Sequence, residues 1–344
     1  IPGSLVGSEM CIRDSSMGAI ESFLHGDLPV DRYAFIFYIK DYSEFQGLVE
    51  GTEIRLGTIV KAVRELMGQG FGALEHGNSS VYYLPDFGND MVLDQMADVC
   101  IHEFFHILTP LGLHSEEIGN FNYIDPKMSK HLWLYEGITE YFAGISQVKG
   151  GVIKRDEYVT SVLRQKIVAA DRYPTDKMPF TEMSENVLHK PYKKQYMQVY
   201  QRGALMGALL DIRIIELTKG EKDLLDIVLE LRDTYGPNKS FKDDDFIGEF
   251  VALVHPDLQH FFDDYVSGTE PLPIKEYLAK VGVLYDRSYV GPLVADPLRD
   301  YGIKYRRIRG TNTLIVRKIG NYNPLQFEEE DIIELYSKKL QDEY

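Results

Sequence analysis

Hydrophobic and polar positions alternate in short runs early in the chain and shift to helical spacing later. Tyr33-Ala-Phe-Ile-Phe-Tyr-Ile39 is rich in aromatic and β-branched residues and stops at Lys40-Asp41, which predicts a buried strand. Ser79-Ser-Val-Tyr-Tyr-Leu84, stopped by Pro85, predicts another. Between them, Glu53 to Met67 has helical spacing. From Asp90 to Leu108 one helix is expected, with Asp90 as its cap and Pro110 forcing its end. A second is expected from Ser129 to Gln147, closed by Gly150-Gly151. Further helical spacing covers about 155–171, 200–218, 221–234, 243–254, 256–267 and 273–281. The pattern changes again after Leu284. Tyr301-Gly-Ile-Lys-Tyr305 and Thr313-Leu-Ile-Val-Arg317 predict short strands, and Asp331-Ile-Ile-Glu-Leu335 suits strand or helix.

Strands first and helices afterwards argue for an α+β fold of two lobes followed by a small module. The expected division is a strand-rich lobe with two site-bearing helices over 16–150, a helical lobe over 151–286 and a small β-containing module over 287–344. Residues 1–15 stand apart. Leu5-Val-Gly-Ser-Glu-Met-Cys-Ile-Arg-Asp-Ser15 resembles a translated sequencing adaptor, so it is excluded from fold reasoning. On that reading the natural N-terminus, and any signal peptide with it, is expected to be missing.

The chain has 344 residues and a formal net charge of −16. No Lys/Arg run offers the basic face that a duplex requires, so nucleic acid is not an expected partner. No apolar run is long enough to span a bilayer. With Cys11 set aside, Cys100 is the one cysteine to weigh, and a small apolar helix residue is its expected role rather than a ligand.

Chemistry enters with His102-Glu103-Phe104-Phe105-His106 in the middle of a predicted helix. Residues four apart on a helix share a face, so both imidazoles can reach one ion at about 2.0–2.1 Å. Glu103 would stand beside them and take a proton from the attacking water. A third ligand is needed, with one position left open. Trp133-Leu-Tyr-Glu136-Gly137 offers one, because a carboxylate among aromatic neighbours requires a charged partner. Glu140, one turn on, suits a carboxylate that orients a histidine from behind. A three-histidine zinc pattern is rejected, since Thr109 and Gly112 occupy its marker positions. His114, Glu116 and Glu117 are rival ligands that would need a sharp return after Pro110. The contrary reading is an amphipathic helix with surface histidines and a solvated glutamate stripe.

These motifs resemble the glycyl aminopeptidase family of zinc metallopeptidases, relatives of aminopeptidase N and thermolysin that often carry a PDZ domain. The resemblance runs from about Phe23 to Val283. It rests on Gly72-Ala-Leu-Glu-His76, the His102–His106 motif, Trp133–Gly137, Tyr200-Gln-Arg-Gly-Ala204 and Phe261-Phe-Asp-Asp-Tyr-Val-Ser-Gly-Thr-Glu-Pro-Leu-Pro273. It implies a thermolysin-like two-lobed catalytic domain, with one zinc per chain on His102, His106 and Glu136 and with Glu103 as general base. It implies that Tyr200 steadies the oxyanion, with Tyr196 its rival, and that Glu75 grips a free amino group while Gly72 lets a peptide approach. Arg202 stands where aminopeptidase N relatives have lysine. The expected activity is removal of N-terminal residues from peptides. An endopeptidase, or a non-catalytic scaffold that binds peptide through a degenerate or truncated PDZ-like module, is the alternative. Exported relatives make an extracytoplasmic location the expectation.

Overall fold

The structure is a computed structural model that describes residues 16–41, 72–86, 91–285, 304–307, 313–318 and 332–334. The helical spacing at Glu53 to Met67 and the cap at Asp90 lie outside them. The described residues form an α+β arrangement dominated by helices, with two three-stranded sheets.

Residues 16–23 form a first helix, α1, where the sequence suggested strands and turns. Ile20, Phe23 and Leu24 are buried in the main core. Their spacing of three to four residues is helical, and the segment is too short for the period to stand out in the sequence. The strand β1 spans Ala34–Asp41, β2 spans Gly72–His76 and β3 spans Ser79–Asp86. β1 is not the buried strand expected: it lies at the sheet edge, and Ile36, Phe37, Tyr38 and Ile39 are exposed. The sheet order is β1-β3-β2. β1 runs parallel to β3, while β2 and β3 form an antiparallel hairpin in which Glu75 faces Ser80.

Helix α2 spans Met91–Phe105 and ends three residues before the expected Leu108. Its last turn tightens instead: Ile107 N–H donates to the Phe104 carbonyl and Leu108 N–H to that of Phe105. Such tight turns are common at helix ends. The expected helix from Ser129 becomes a π-helical segment, Trp133–Ile138, that runs into α3, Thr139–Lys149. The helix predicted at 155–171 also carries a π-helical turn, Tyr158–Leu163, before α4, Arg164–Ala170. The longest helix is α5, Gln198–Leu217, and it is buried along most of its length. Next come α6 (Leu224–Tyr235), α7 (Asp243–Val254) and α8 (Ile274–Lys280).

Aromatic rings fill the core. Phe23, Phe105 and Phe142 pack together, joining α1, α2 and α3. Trp133 packs against Phe246, Phe250 and Phe262, tying the π segment to α7 and the turn after it. Burying each such ring contributes roughly 1.5–3 kcal/mol. The last three described strands, Lys304–Arg307, Thr313–Lys318 and Ile332–Glu334, form an antiparallel sheet, so Ile332–Glu334 is strand. No helix among the described residues is long and apolar enough to cross a membrane.

Candidate metal centre

Helix α2 delivers His102 and Glu103, and His106 follows at its end. All three are buried, with 3–7% of their surface exposed. The His102 and His106 rings lie 4.8 Å apart between centroids, as an i, i+4 pair should. Glu136 comes from the π-helical segment. Its Oε2 lies 3.3 Å from His102 Nε2 and 3.6 Å from His106 Nε2. Tetrahedral ligands about 2.0–2.1 Å from one zinc stand roughly 3.3–3.4 Å from each other. The Glu136 oxygen therefore already stands from each imidazole nitrogen at about the spacing of two ligands around one small ion, and the three donor atoms lie within 4.8 Å of one another.

The opposite ring nitrogens are both engaged. His102 Nδ1 lies 2.8 Å from Glu140 Oε2, and His106 Nδ1 lies 3.0 Å from the Thr109 carbonyl. With Nδ1–H donated to these acceptors, loss of the Nε2 proton would leave each Nε2 lone pair for a metal. Glu140 is thus where the sequence expected it. The Lys166 ammonium from α4, which the sequence did not suggest, donates to the other oxygen, Oε1, at 2.6 Å.

The electrostatics are those of a cation site. Burial opposes charge on His102, but hydrogen bonds to Glu136 and Glu140 outweigh it and push its pKa up to about 10. Burial also opposes charge on Glu140, yet His102 and Lys166 pull its pKa down to about 2. Glu136 is likewise lowered, because its bond to His102 and the charge of His106 overcome burial. Glu103 goes the other way, its proton affinity raised chiefly by burial. Its Oε2 has no hydrogen-bond partner among the described residues. An orphaned buried carboxylate oxygen is costly, so it marks a place for a donor from a ligand. The donor set, the ring tautomers and this orphaned oxygen all fit a zinc site.

Glu75 also reaches the site. One of its carboxylate oxygens, one of Glu103 and a nitrogen of His106 all lie within 4.8 Å of one another. Strand β2 positions it, its half-buried residues alternating with exposed ones. Gly72 begins the same strand, and a Cβ there would meet nothing within 4 Å among the described residues. Glycine at that position is not required by the chain's own packing.

Tyr200 packs its ring 5.7 Å from that of His102, and its hydroxyl lies 3.2 Å from that of Tyr196. Burial, then the charge of Glu136, raises the Tyr200 pKa well above that of an ordinary phenol, so it stays protonated. Tyr196 is 42% exposed and also faces the site: burial, and then the charges of Glu136, Glu75 and Glu103, raise its pKa. Arg202 is buried; its guanidinium lies over the Tyr173 ring and donates to the Tyr265 carbonyl. The rival ligands His114, Glu116 and Glu117 join no metal-binding set among the described residues, and His114 Nδ1 is taken by the Pro110 carbonyl. Cys100 is a buried free thiol that joins no such set either.

Two further groups fix the segment that carries Glu136. Asp243 at the start of α7 accepts from Ser129 Oγ and Lys130 N–H, each at 2.7 Å. Its carbonyl lies 2.8 Å from His131 Nε2, and Trp133 Nε1–H donates to His131 Nδ1 at 3.1 Å. Nothing in the local sequence pattern points to these residues.

The end of one helix thus brings His102, Glu103 and His106 together with the Glu136 carboxylate of a π-helical segment. Residues 95–206 match the model of the M61 glycyl aminopeptidase family, which bears out the resemblance read from the motifs. Among solved structures, the chain is similar to an aminopeptidase N family protein from Idiomarina loihiensis, at a TM-score of 0.64 and 20% identity. The similarity covers 91% of this chain and 52% of that one, so this chain spans about half its length. Comparison with curated proteins gives no significant match.

Proposed function

We propose that this chain hydrolyses peptide bonds at the amino termini of its substrates, using a zinc ion held by His102, His106 and Glu136. The spacing of the three donor atoms, 3.3 and 3.6 Å from the Glu136 oxygen, carries the reading. The match to a peptidase family over the segment containing all three supports it. Zinc bound there would supply Lewis acidity, drawing electron density from the scissile carbonyl and easing deprotonation of water.

The chain's own residues then divide the work. Glu103 Oε2, buried and without a partner, accepts a proton from the attacking water and later passes it to the leaving amine. Its raised proton affinity suits both transfers. The Tyr200 hydroxyl donates a hydrogen bond to the carbonyl oxygen as negative charge develops there. Tyr196 can donate to Tyr200 and leave that hydroxyl's proton directed at substrate. Glu75 pairs with the substrate's ammonium, placing the first peptide bond beside Glu103. The larger layout belongs to the same proposal: a strand-rich and a helical lobe around the site, and a PDZ-like module built on the last three strands.

Metal analysis of the purified protein, with hydrolysis of matched free and N-acetylated peptides, tests this. About one zinc per chain and rejection of the acetylated peptide are expected. Equal cleavage of both peptides would make the protein an endopeptidase and reduce Glu75 to a structural group. A metal-free, inactive protein with micromolar peptide affinity would make it a binding scaffold.

A further inference from the structure

We propose that Lys166 is a positioning residue for the metal centre, its ammonium clamping Glu140 so that the carboxylate locks the His102 ring. This rests on the zinc reading above and extends it to a helix that carries no ligand.

Lys166 lies on α4, and its side chain is 10% exposed. A buried ammonium needs a hydrogen-bonded counter-charge. It finds one in Glu140 Oε1 at 2.6 Å, while Glu140 Oε2 lies 2.8 Å from His102 Nδ1. The two oxygens thus serve different partners. A carboxylate held at both ends cannot turn about its terminal bond without giving up one of them. With Oε1 clamped, Oε2 stays in line with Nδ1–H, and the ring keeps Nε2 directed at Glu136 Oε2, 3.3 Å away. Lys166 also offsets one of the two carboxylates that flank His102, which otherwise repel each other at close range.

A separate contact makes α4 a brace for the site rather than a bystander. The Ala169 carbonyl accepts from Gln198 Nε2 at 3.0 Å. Gln198 opens α5, two residues before Tyr200. One short helix therefore holds both the back of the His102 ring and the start of the helix that bears the tyrosine.

The test uses the full chain and reads zinc affinity by competition with a chromophoric chelator, alongside kcat and KM. Lys166→Met keeps the aliphatic stem and removes the charge. It should weaken zinc binding by up to about 10-fold, the low end of the loss when the carboxylate behind a ligand is removed, because Lys166 acts one contact further out. At saturating zinc, kcat should fall while KM holds, and Lys166→Arg should recover most of both. In a Glu140→Gln background, Lys166→Met should cost no further affinity, because the clamp is already broken. If Lys166→Met binds zinc like the wild type, or if the two losses simply add, Lys166 only fills space and the proposal is wrong. Should the Met variant not fold, Lys166→Gln, which removes the charge and keeps only a neutral amide, carries the same comparison. A wild-type chain that holds no zinc would overturn the metal reading itself, a result distinct from either.

Discussion

Gly137 and Gly203 stand backbone to backbone. A Cβ on Gly137 would lie 2.7 Å from the Gly203 Cα, and a Cβ on Gly203 would lie 2.8 Å from the Gly137 Cα. Gly137 follows Glu136 directly, and Gly203 lies one turn beyond Tyr200. The absence of two side chains lets the π-helical segment touch α5, which brings the Glu136 carboxylate and the Tyr200 ring to the same histidine, His102.

Alanine at either glycine should therefore disturb the site as well as the packing. Both contacts are with backbone, which cannot swing aside as a side chain can. Overpacking of this kind costs roughly 1–3 kcal/mol. Denaturant unfolding of Gly137→Ala and Gly203→Ala should show that loss, with weakened zinc binding alongside. Wild-type stability and affinity in both variants would refute the close approach.

Glu103→Gln should keep the fold and the metal while losing hydrolysis. The amide fills the same space, lies beside the ligand set and cannot take up a proton. A loss of roughly 100- to 10,000-fold in kcat, the worth of a positioned general base, is expected with zinc content unchanged. Turnover at the wild-type rate would remove Glu103 from the reaction.

Tyr200→Phe and Tyr196→Phe separate the rivals. Tyr200 packs against the His102 ring, whereas Tyr196 is more exposed and its hydroxyl bonds that of Tyr200. Removing a donor to a developing oxyanion costs about 100- to 1,000-fold in kcat, and this loss is expected for Tyr200→Phe. Tyr196→Phe should lose far less. The reverse ranking in steady-state kinetics would transfer the role to Tyr196.

Cys100 should be inert. It is 7% exposed, and burial pushes its thiol pKa up to about 12. The thiolate is the reactive form, so raising the pH from 7 to 9 should not bring alkylation of the folded protein. Peptide mapping after iodoacetamide treatment should find Cys100 modified only once the chain is unfolded. Labelling that rises with pH in the native state would place the thiol outside the core.

The helical spacing of His102 and His106 and the buried-looking Glu136 were legible because each is a local pattern. A ligand pair four residues apart depends only on helix pitch, and strand and helix periods depend only on nearby residues. The helix ending at Phe105 rather than Leu108 and the π-helical turn at Trp133–Ile138 were not legible. Both depart from the regular period to suit contacts elsewhere in the fold.

The sequence by itself determined the α+β character, the strands at Ala34–Asp41 and Ser79–Asp86, and the residue types of the proposed donor set. Only the tertiary structure decided what holds that set in place. Lys166 meets Glu140 across 26 residues, and Asp243 meets Ser129 across 114. Gly137 finds Gly203 from another helix altogether. Periodicity tells which face of an element is buried, but not which distant side chain it will meet. Those meetings are settled by packing the helices against one another, and they orient the proposed metal ligands.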